Sequence, residues 1–222
     1  MNSLSSRLVL TEDGSHTLFA PHFDQHYHSI HGSLQESRRI FIELGIDPLL
    51  NKADEIRVFE MGLGTGLNAL LTWQWAEQHQ RHVHYVSIEA YPISDGEATE
   101  LNYEALVGQQ GLADIHQAAW GTLIRLSPYF TLVKHQIFLQ QFSAEDTLFD
   151  VVYYDAFAPR TQPELWTAEI FKQVADFTKL EGYLVTYCAK SDVQRALRSA
   201  GFRVEKHPGP WGKRHVLRGV KE

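Results

Sequence analysis

Hydrophobic positions along the chain follow two spacings that alternate. Residues 56–61 (IRVFEM) and 83–89 (VHYVSIE) are short runs rich in β-branched and aromatic side chains, which is typical of buried strands. Residues 67–77 between them have the spacing of a helix. The three segments predict a strand–helix–strand unit of about 30 residues, long enough for a parallel pair joined by a right-handed crossover.

The same alternation continues toward the C terminus. It predicts a strand at 149–154, a helix from about Pro163, a strand at 183–187 and a helix at 192–200. Gly182 is predicted to interrupt the chain before the second of these strands, and Ser191 or Asp192 to cap the second helix. Residues 202–206 and 215–220 predict a closing hairpin around the turn-rich stretch PGPWGKR.

This order of elements predicts a doubly wound, Rossmann-like α/β fold. We expect a mostly parallel seven-stranded sheet that ends in an antiparallel hairpin, within one domain spanning residues 1–222. Residues 1–45 do not join the alternation and are predicted to cover the sheet or its pocket. Residues 46–222 would form the core.

The composition narrows the class of protein. Of the 222 residues, 44% are hydrophobic and 21% charged, as in ordinary globular domains. No apolar run approaches the roughly 18 residues that a membrane-spanning helix needs. The lone Cys188 excludes an internal disulfide, and the first ten residues lack the basic and apolar segments of an exported precursor. We therefore expect a cytoplasmic protein without a membrane role.

The charge is unevenly distributed. A net charge of −7 argues against non-specific coating of nucleic acid. Residues 203–222, however, contain six Lys and Arg residues against two Glu residues. Such a basic end on an acidic body could hold a phosphate-rich partner at one place; the alternative is an ordinary solvated, charged end.

A glycine-rich loop directly follows the first strong strand and opens a helix. It reads Glu60-Met-Gly62-Leu-Gly64-Thr65-Gly66. Glycines allow the backbone to turn tightly and to approach a ligand closely. The spacing departs from the dinucleotide-binding fingerprint, and the preceding glutamate would repel a pyrophosphate. The loop therefore favours a cationic, amino-acid-bearing ligand such as S-adenosylmethionine over NAD.

Two acidic residues end later strands. Glu89 stands 23 residues after Gly66, where a carboxylate can accept hydrogen bonds from the ribose of a nucleoside cofactor. Asp155 ends the third strong strand. Ligands of open α/β sheets bind outside the carboxyl ends of the strands, so we expect both carboxylates at the glycine loop. The alternatives are a solvated Glu89 and an Asp155 that caps the next helix.

Two further features invite chemistry. His22, His26, His28 and His31 lie close together, with Asp24 among them, but no tidy fourth ligand accompanies them, so we expect no metal site. Contact of this stretch with a cofactor or substrate is the preferred interpretation. Cys188 has no evident neighbour that would lower its pKa, which favours a core thiol over a nucleophile.

Several short blocks, in the right order over nearly the whole chain, match one family. They are Gln25-His-Tyr-His-Ser29 with Gly32 and Glu36-Ser37, Glu60 to Asn68, Asp155-Ala-Phe-Ala-Pro159 with Pro163 to Trp166, Thr186 to Lys190, and Ala200 to Phe202 with Pro208-Gly-Pro and Lys213-Arg214. The chain resembles the methyltransferase part of the bifunctional tRNA 5-methylaminomethyl-2-thiouridine biosynthesis enzymes. Because 222 residues leave no room for a flavin oxidase domain, the resemblance is to the stand-alone MnmC-like form.

The resemblance implies a class I methyltransferase fold and S-adenosyl-L-methionine as cofactor, without a flavin. It implies N-methylation of the aminomethyl group on the wobble uridine of tRNA, with the anticodon stem-loop as partner and other wobble-uridine enzymes acting upstream. The implied cofactor residues are Tyr27, Ser29, Glu60, Gly62, Gly64, Thr65, Gly66, Asn68, Glu89, Phe138 and Asp155. Phe138 stands where related proteins usually place an acidic residue for the adenine amino group.

Asp155 is the expected catalytic residue, as hydrogen-bond acceptor and general base for the substrate amine. His28, Phe157 and Tyr187 are expected at the substrate base, and Lys213 and Arg214 at the neighbouring phosphates. Two alternatives stay open at this point. One is an aminopropyltransferase of the spermidine-synthase type, against which the basic C-terminal turn argues; the other is a non-catalytic nucleotide- or RNA-binding module.

Overall fold

The computed structural model describes residues 6–222. Residues 1–5, part of the predicted N-terminal cover and of the stretch inspected for an export signal, lie outside the described residues. Three antiparallel strands form a small N-terminal sheet: β1 (Arg7–Leu10), β2 (His16–Ala20) and β3 (Gln25–His26). Among the described residues, no helix is long and apolar enough to cross a bilayer.

The large sheet has eight strands. They are β4 (Glu55–Met61), β5 (His82–Ile88), β6 (Ile124–Arg125), β7 (Phe130–His135), β8 (Phe149–Tyr154), β9 (Thr178–Thr186), β10 (Phe202–Pro208) and β11 (His215–Lys221). Their spatial order is β10-β11-β9-β8-β4-β5-β7-β6. The five strands from β9 to β7 run parallel, and the hairpin β10–β11 joins β9 antiparallel. The predicted fold class is confirmed; the strand beyond the predicted seven is the two-residue β6, which pairs antiparallel with β7.

Helices flank both faces of this sheet. They are α1 (Ser33–Ser37), a π-helix (Arg38–Ile46), α2 (Leu67–His79), α3 (Asp95–Thr99), α4 (Tyr103–Val107), α5 (Leu112–Gln117), α6 (Ala168–Asp176) and α7 (Ser191–Ser199), with short 3₁₀ turns at Asp47–Leu49, Leu139–Gln141 and Pro163–Leu165. Strand β8 shows how the sequence produces two cores. Val151 and Tyr153 pack into the core with α2, whereas Val152 and Tyr154 face the core with α6 and α7. Successive side chains of a strand point to opposite faces, so a continuous apolar run buries both.

Three local predictions were wrong. Gly182 does not interrupt the chain but lies inside β9, where the pairing with β8 shifts register. Any side chain there would meet the carbonyl oxygen of Lys179, 2.7 Å from an added β-carbon, so glycine permits the irregularity. The helix expected from Pro163 begins later, because Thr167 caps α6 by accepting the amide of Ile170.

The predicted cap of the last helix was also wrong. Helix α7 begins at Ser191, one residue after its N-cap Lys190, and no side chain caps it. Ser191 and Asp192 are therefore helical residues of the first turn. An aspartate there still suits the helix, because the N-terminal end of a helix dipole favours negative charge.

Candidate active site

The glycine-rich loop leaves β4 and enters α2 with three residues in the left-handed backbone region. Gly62, Gly64 and Gly66 have φ of +90°, +51° and +77°. A β-carbon at Gly62 would lie 2.9 Å from the Asp155 carbonyl oxygen, and one at Gly64 would lie 2.9 Å from the ring of Tyr27. The absence of side chains thus allows β8 and the N-terminal segment to close on the loop.

Glu89 directly follows β5 and is tied to the glycine loop. Its Oε2 accepts the amide of Gly64 at 2.9 Å, and its Oε1 accepts the amide of Tyr91 at 2.8 Å. Each carboxylate oxygen can accept a second hydrogen bond, so the group can still receive two hydroxyls. Burial raises the pKa of Glu89, while these backbone amides favour its ionised form.

Asp155 directly follows β8 and shares one donor with Glu60. The amide nitrogen of Asn68 donates to Asp155 Oδ2 at 2.9 Å and to Glu60 Oε1 at 3.1 Å. Burial raises the pKa of Asp155 to about 7. A carboxylate that titrates near neutral pH can accept and release a proton under physiological conditions.

Glu60 plays a different part from the one expected. It is fully buried beneath the pocket, where Ser87 also donates to it at 3.0 Å. Burial, together with the nearby Asp155, raises the pKa of Glu60 to about 8, so the group is protonated at neutral pH. Glu60 therefore does not line the pocket itself, but reaches it through Asn68.

Aromatic side chains from the N-terminal segment close one side of the pocket. Phe23 stacks on Phe157 with ring centroids 4.4 Å apart, and Tyr27 lies 5.2 Å from the same ring. His28 turns inward beside them, and its backbone amide donates to Thr17. Burial and the neighbouring Lys213 lower the pKa of His28 to about 4, so this imidazole is neutral at pH 7.

Lys213 reaches the pocket from the opposite end of the chain. Its ammonium pairs with Glu36 of α1 and lies 4.7 Å from the centroid of the Tyr187 ring. Burial lowers the pKa of Lys213 to about 8. The expectation that Lys213 meets phosphates on the surface does not fit this placement, whereas its neighbour Arg214 is exposed.

Three of the six basic residues at the end of the chain, Arg203, Lys213 and Arg218, are paired with carboxylates. Arg203 and Arg218 both pair with Glu205, the first through Nη1 and the second through Nη2 at 2.7 Å. The six basic residues counted from the sequence therefore do not form one free patch. No local pattern predicts this pairing, because it depends on the register of β10 against β11, in which Glu205 lies opposite Arg218.

These groups surround one cavity. Of the residues predicted from the sequence, those that line it are Tyr27, His28, Gly62, Gly64, Thr65, Asn68, Glu89, Asp155, Phe157, Tyr187 and Lys213. Those that do not are Ser29, Glu60, Gly66, Phe138 and Arg214. Ser29 instead donates its backbone amide to Glu36, and Gly66 forms the N-cap of α2.

Phe138 lies in a neighbouring cavity. This cavity shares Phe23, Met61, Ala90, Tyr91 and Gln162 with the first one. The ring of Phe138 is half exposed and lies edge-on to Tyr91, with centroids 5.8 Å apart. The two cavities are thus contiguous around the aromatic pair Phe23 and Tyr91, whose rings lie 5.3 Å apart.

Ten lining residues were not among the predicted site residues, and five of them have aromatic or polar side chains: Phe23, Gln25, Glu36, Tyr91 and Gln162. Gln25 and Glu36 occur in the blocks that carry the resemblance, which was a usable signal. Phe23, Tyr91 and Gln162 have no motif around them. Their positions depend on how the N-terminal segment and the loop after β8 pack, which no local pattern encodes.

The histidines of the N-terminal segment do not converge. His26 lies against Phe19, and His31 bonds to Glu12 at 3.0 Å, while His28 points into the pocket. Within residues 6–222, no three His, Cys, Asp or Glu side chains are placed to hold a metal ion. Cys188 is buried, and burial raises its thiol pKa, as for an unreactive core thiol.

The fold and the three converging strand ends define a class of protein. Residues 113–222 match the model of a family described as S-adenosyl-L-methionine-dependent methyltransferase. The crystal structure of MNMC2 from Aquifex aeolicus has the same fold, with a TM-score of 0.79 and 22% identity, over 97% of this chain and 70% of that one. The chain has the Rossmann-like fold of S-adenosyl-L-methionine-dependent methyltransferases.

Within this class the chain is a relative of the tRNA 5-methylaminomethyl-2-thiouridine biosynthesis bifunctional proteins MnmC. It is 32% identical to the protein of Paraburkholderia xenovorans, over 95% of this chain and 34% of that protein. It is 33% identical to the protein of Pseudomonas fluorescens Pf-5, over 89% of this chain and 32% of that protein. The resemblance found in the sequence is confirmed, and the chain spans about a third of the length of these curated relatives.

Proposed function

We propose that the chain transfers a methyl group from S-adenosylmethionine to the primary amine of an aminomethyl group on the wobble uridine of tRNA. The observation that carries the proposal is the convergence of the glycine loop, Glu89 and Asp155 on one cavity. The names of the relatives support the choice of substrate. We infer that residues 6–45, the described part of the predicted cover, close this cavity and form one unit with the core at 46–222.

The residues present fit the cofactor. Asn68 Oδ1 is buried and has no hydrogen-bond partner within residues 6–222, so a donor group from a ligand would satisfy it. The amino group of the methionine moiety is such a donor. Glu89 has lone pairs left for ribose hydroxyls, and the second cavity, with Tyr91 and Phe138, offers aromatic faces for adenine.

When bound, S-adenosylmethionine supplies an electrophilic methyl carbon on a positively charged sulfur. The chain must bring a neutral amine in line with that carbon. Asp155 is placed to attract the substrate ammonium and to accept one of its protons, which frees the nitrogen lone pair. Asn68 fixes one oxygen of Asp155, so the carboxylate keeps its orientation without substrate.

The walls of the cavity suit an extruded base. Tyr187 donates its hydroxyl to the Ala156 carbonyl at 2.9 Å, and Phe157 and His28 line the same cavity. Aromatic faces of this kind stack on unpaired bases of RNA. A tRNA substrate would place the enzyme in the cytoplasm, downstream of the enzymes that install the aminomethyl group. Arg214 is placed to contact a phosphate of the anticodon stem-loop.

The test combines binding and transfer. Isothermal titration with S-adenosylmethionine should give saturable binding, and radiolabelled methyl should then pass to bulk tRNA from cells that lack this gene. Digestion of the tRNA should place the label on the methylamino nitrogen. Binding without transfer would favour a non-catalytic module. Transfer of an aminopropyl group to putrescine from the decarboxylated cofactor would favour the spermidine-synthase alternative, which the relatives do not support.

A further inference from the structure

Hydrogen bonds within the turn between β10 and β11, and one bond from the π-helix Arg38–Ile46, hold this turn in place. Within the turn, Gly209 donates its amide to the Arg214 carbonyl at 3.3 Å and Lys213 donates to the Pro210 carbonyl at 3.0 Å. Outside it, Arg39 donates to the Pro208 carbonyl at 3.0 Å. These bonds hold the turn in place, and Lys213 within it lines the cavity.

The turn leaves the side chain of Trp211 exposed to solvent. The side chain is 73% exposed and shares with Leu180 the highest exposure among the large hydrophobic residues in the described part of the chain. A single exposed apolar residue carries little information by itself. Trp211, however, stands two residues from Lys213, which lines the cavity. The α-carbons of the two residues therefore lie at most about 7 Å apart.

The surroundings of Trp211 are basic. Residues 206–215 (KHPGPWGKRH) contain three Lys and Arg residues and no acidic residue, in a chain whose net charge is −7. Lys206 and Arg214 are exposed. An aromatic face beside exposed cations is the arrangement that binds unpaired nucleotides, because the ring stacks on a base while the cations meet phosphates.

We propose that Trp211 stacks on an unpaired RNA base that flanks the base held in the cavity. The backbone of Trp211 lies two residues from that of Lys213, so a base that flanks the one held in the cavity would pass the turn that carries this ring. Trp211 thereby sets where the loop of the RNA docks. This proposal rests on the proposed function only for the identity of the RNA, the anticodon stem-loop.

Fluorescence quenching tests the contact without requiring methyl transfer. Of the five tryptophans, Trp73, Trp75 and Trp166 are buried and Trp120 is half-buried, so the fraction quenched by acrylamide reports mainly Trp211. A 17-nucleotide anticodon stem-loop should protect that fraction. The same RNA with an abasic site at the contacted position should not.

Affinity provides the second measurement. Trp211→Ala should raise the Kd for the stem-loop about 5- to 150-fold, since stacking on one base has this value. Trp211→Phe should retain most of the affinity, and Trp211→Leu should not, because only an aromatic face stacks. Leu180→Ala is the matched control, because it removes an equally exposed apolar side chain at the far end of β9.

The outcomes separate this proposal from the function. Methyl transfer with an unchanged Kd for Trp211→Ala overturns the stacking contact and leaves the function intact. Protection of Trp211 by the stem-loop without any methyl transfer supports the contact and overturns the function. Concentration-dependent protection without RNA, with dimers in sedimentation, would assign Trp211 to a contact between two copies of the chain and overturn the proposal.

Discussion

Replacing Asp155 by asparagine should separate activity from stability. The substitution keeps the shape of the side chain, and its carbonyl oxygen can still accept the amide of Asn68, which donates at 2.9 Å in the wild type. It removes the negative charge, which this side chain needs in order to accept a proton from the substrate. General bases contribute about 100- to 10,000-fold, so the single-turnover rate of methyl transfer should fall by that factor. This loss corresponds to about 3 to 5 kcal/mol of transition-state stabilisation.

Asp155→Asn should raise the stability of the fold, although it lowers the activity. Burial raises the pKa of Asp155 from its ordinary value of 3.8 to about 7, so the folded state holds a proton that the unfolded chain releases. Asp155 thus contributes stability below about pH 4, and this contribution is lost as the pH rises toward 7. Each pKa unit is worth about 1.4 kcal/mol, and partial exposure reduces the effect, so Asp155→Asn should gain about 2 to 4 kcal/mol at pH 8.

Two assays check this pair of effects. Single-turnover transfer from radiolabelled cofactor, measured between pH 5.5 and 9, should rise through about pH 7 in the wild type and lose that step in Asp155→Asn. Urea unfolding at pH 5 and pH 8 measures the stability. Asp150→Asn on the same strand is the control, because its carboxylate pairs with Lys179 far from the cavity. Near-normal transfer by Asp155→Asn, with the cofactor bound normally, would refute the role of Asp155 as base.

Four further substitutions test the rest of the site. Glu89→Gln should raise the Kd for S-adenosylmethionine about 10- to 150-fold in isothermal titration, because it removes a charged acceptor; an unchanged Kd would exclude the ribose contact. Gly64→Ala should weaken cofactor binding by about tenfold or more, because the added β-carbon would meet the ring of Tyr27. Gly14→Ala is the control: its φ is +83° but nothing lies near the added β-carbon, so it should cost only about 1 kcal/mol of folding stability in urea. Lys213→Met should destabilise the fold by about 2 kcal/mol in thermal unfolding, because it leaves a buried glutamate unpaired. Arg214→Ala should instead lower the slope of the tRNA-binding constant against salt concentration, on logarithmic axes, by about one. Equal effects of Lys213→Met and Arg214→Ala on stability and on this slope would contradict the different placement of the two residues.

The fold could be predicted where local pattern decides it. Strand β8 is apolar at consecutive positions because both of its faces are buried, and that pattern is legible in the sequence. Gly62, Glu89 and Asp155 were found for a related reason. Each lies at or just after the end of a buried strand, and parallel strands bring such ends to one edge.

The remaining features depend on partners that are distant in sequence. The ion pair of Lys213 joins residues 177 positions apart, so no local spacing predicts it. Gly182 looked like a chain break because glycine weakens strands in general, and only the pairing with β8 requires it inside β9. Phe23 and Tyr91 belong to the cavity because two loops pack together, and neither loop carries a recognisable motif.

The bond between Glu36 and Lys213 also has a consequence for synthesis of the chain. Its two partners belong to α1 and to the turn after β10, and both line the same cavity. A nascent polypeptide therefore contains the glycine loop, Glu89 and Asp155 long before it contains Lys213. Completed pockets arise only once the closing hairpin has left the ribosome, so partly made chains would have no finished active site with which to engage RNA.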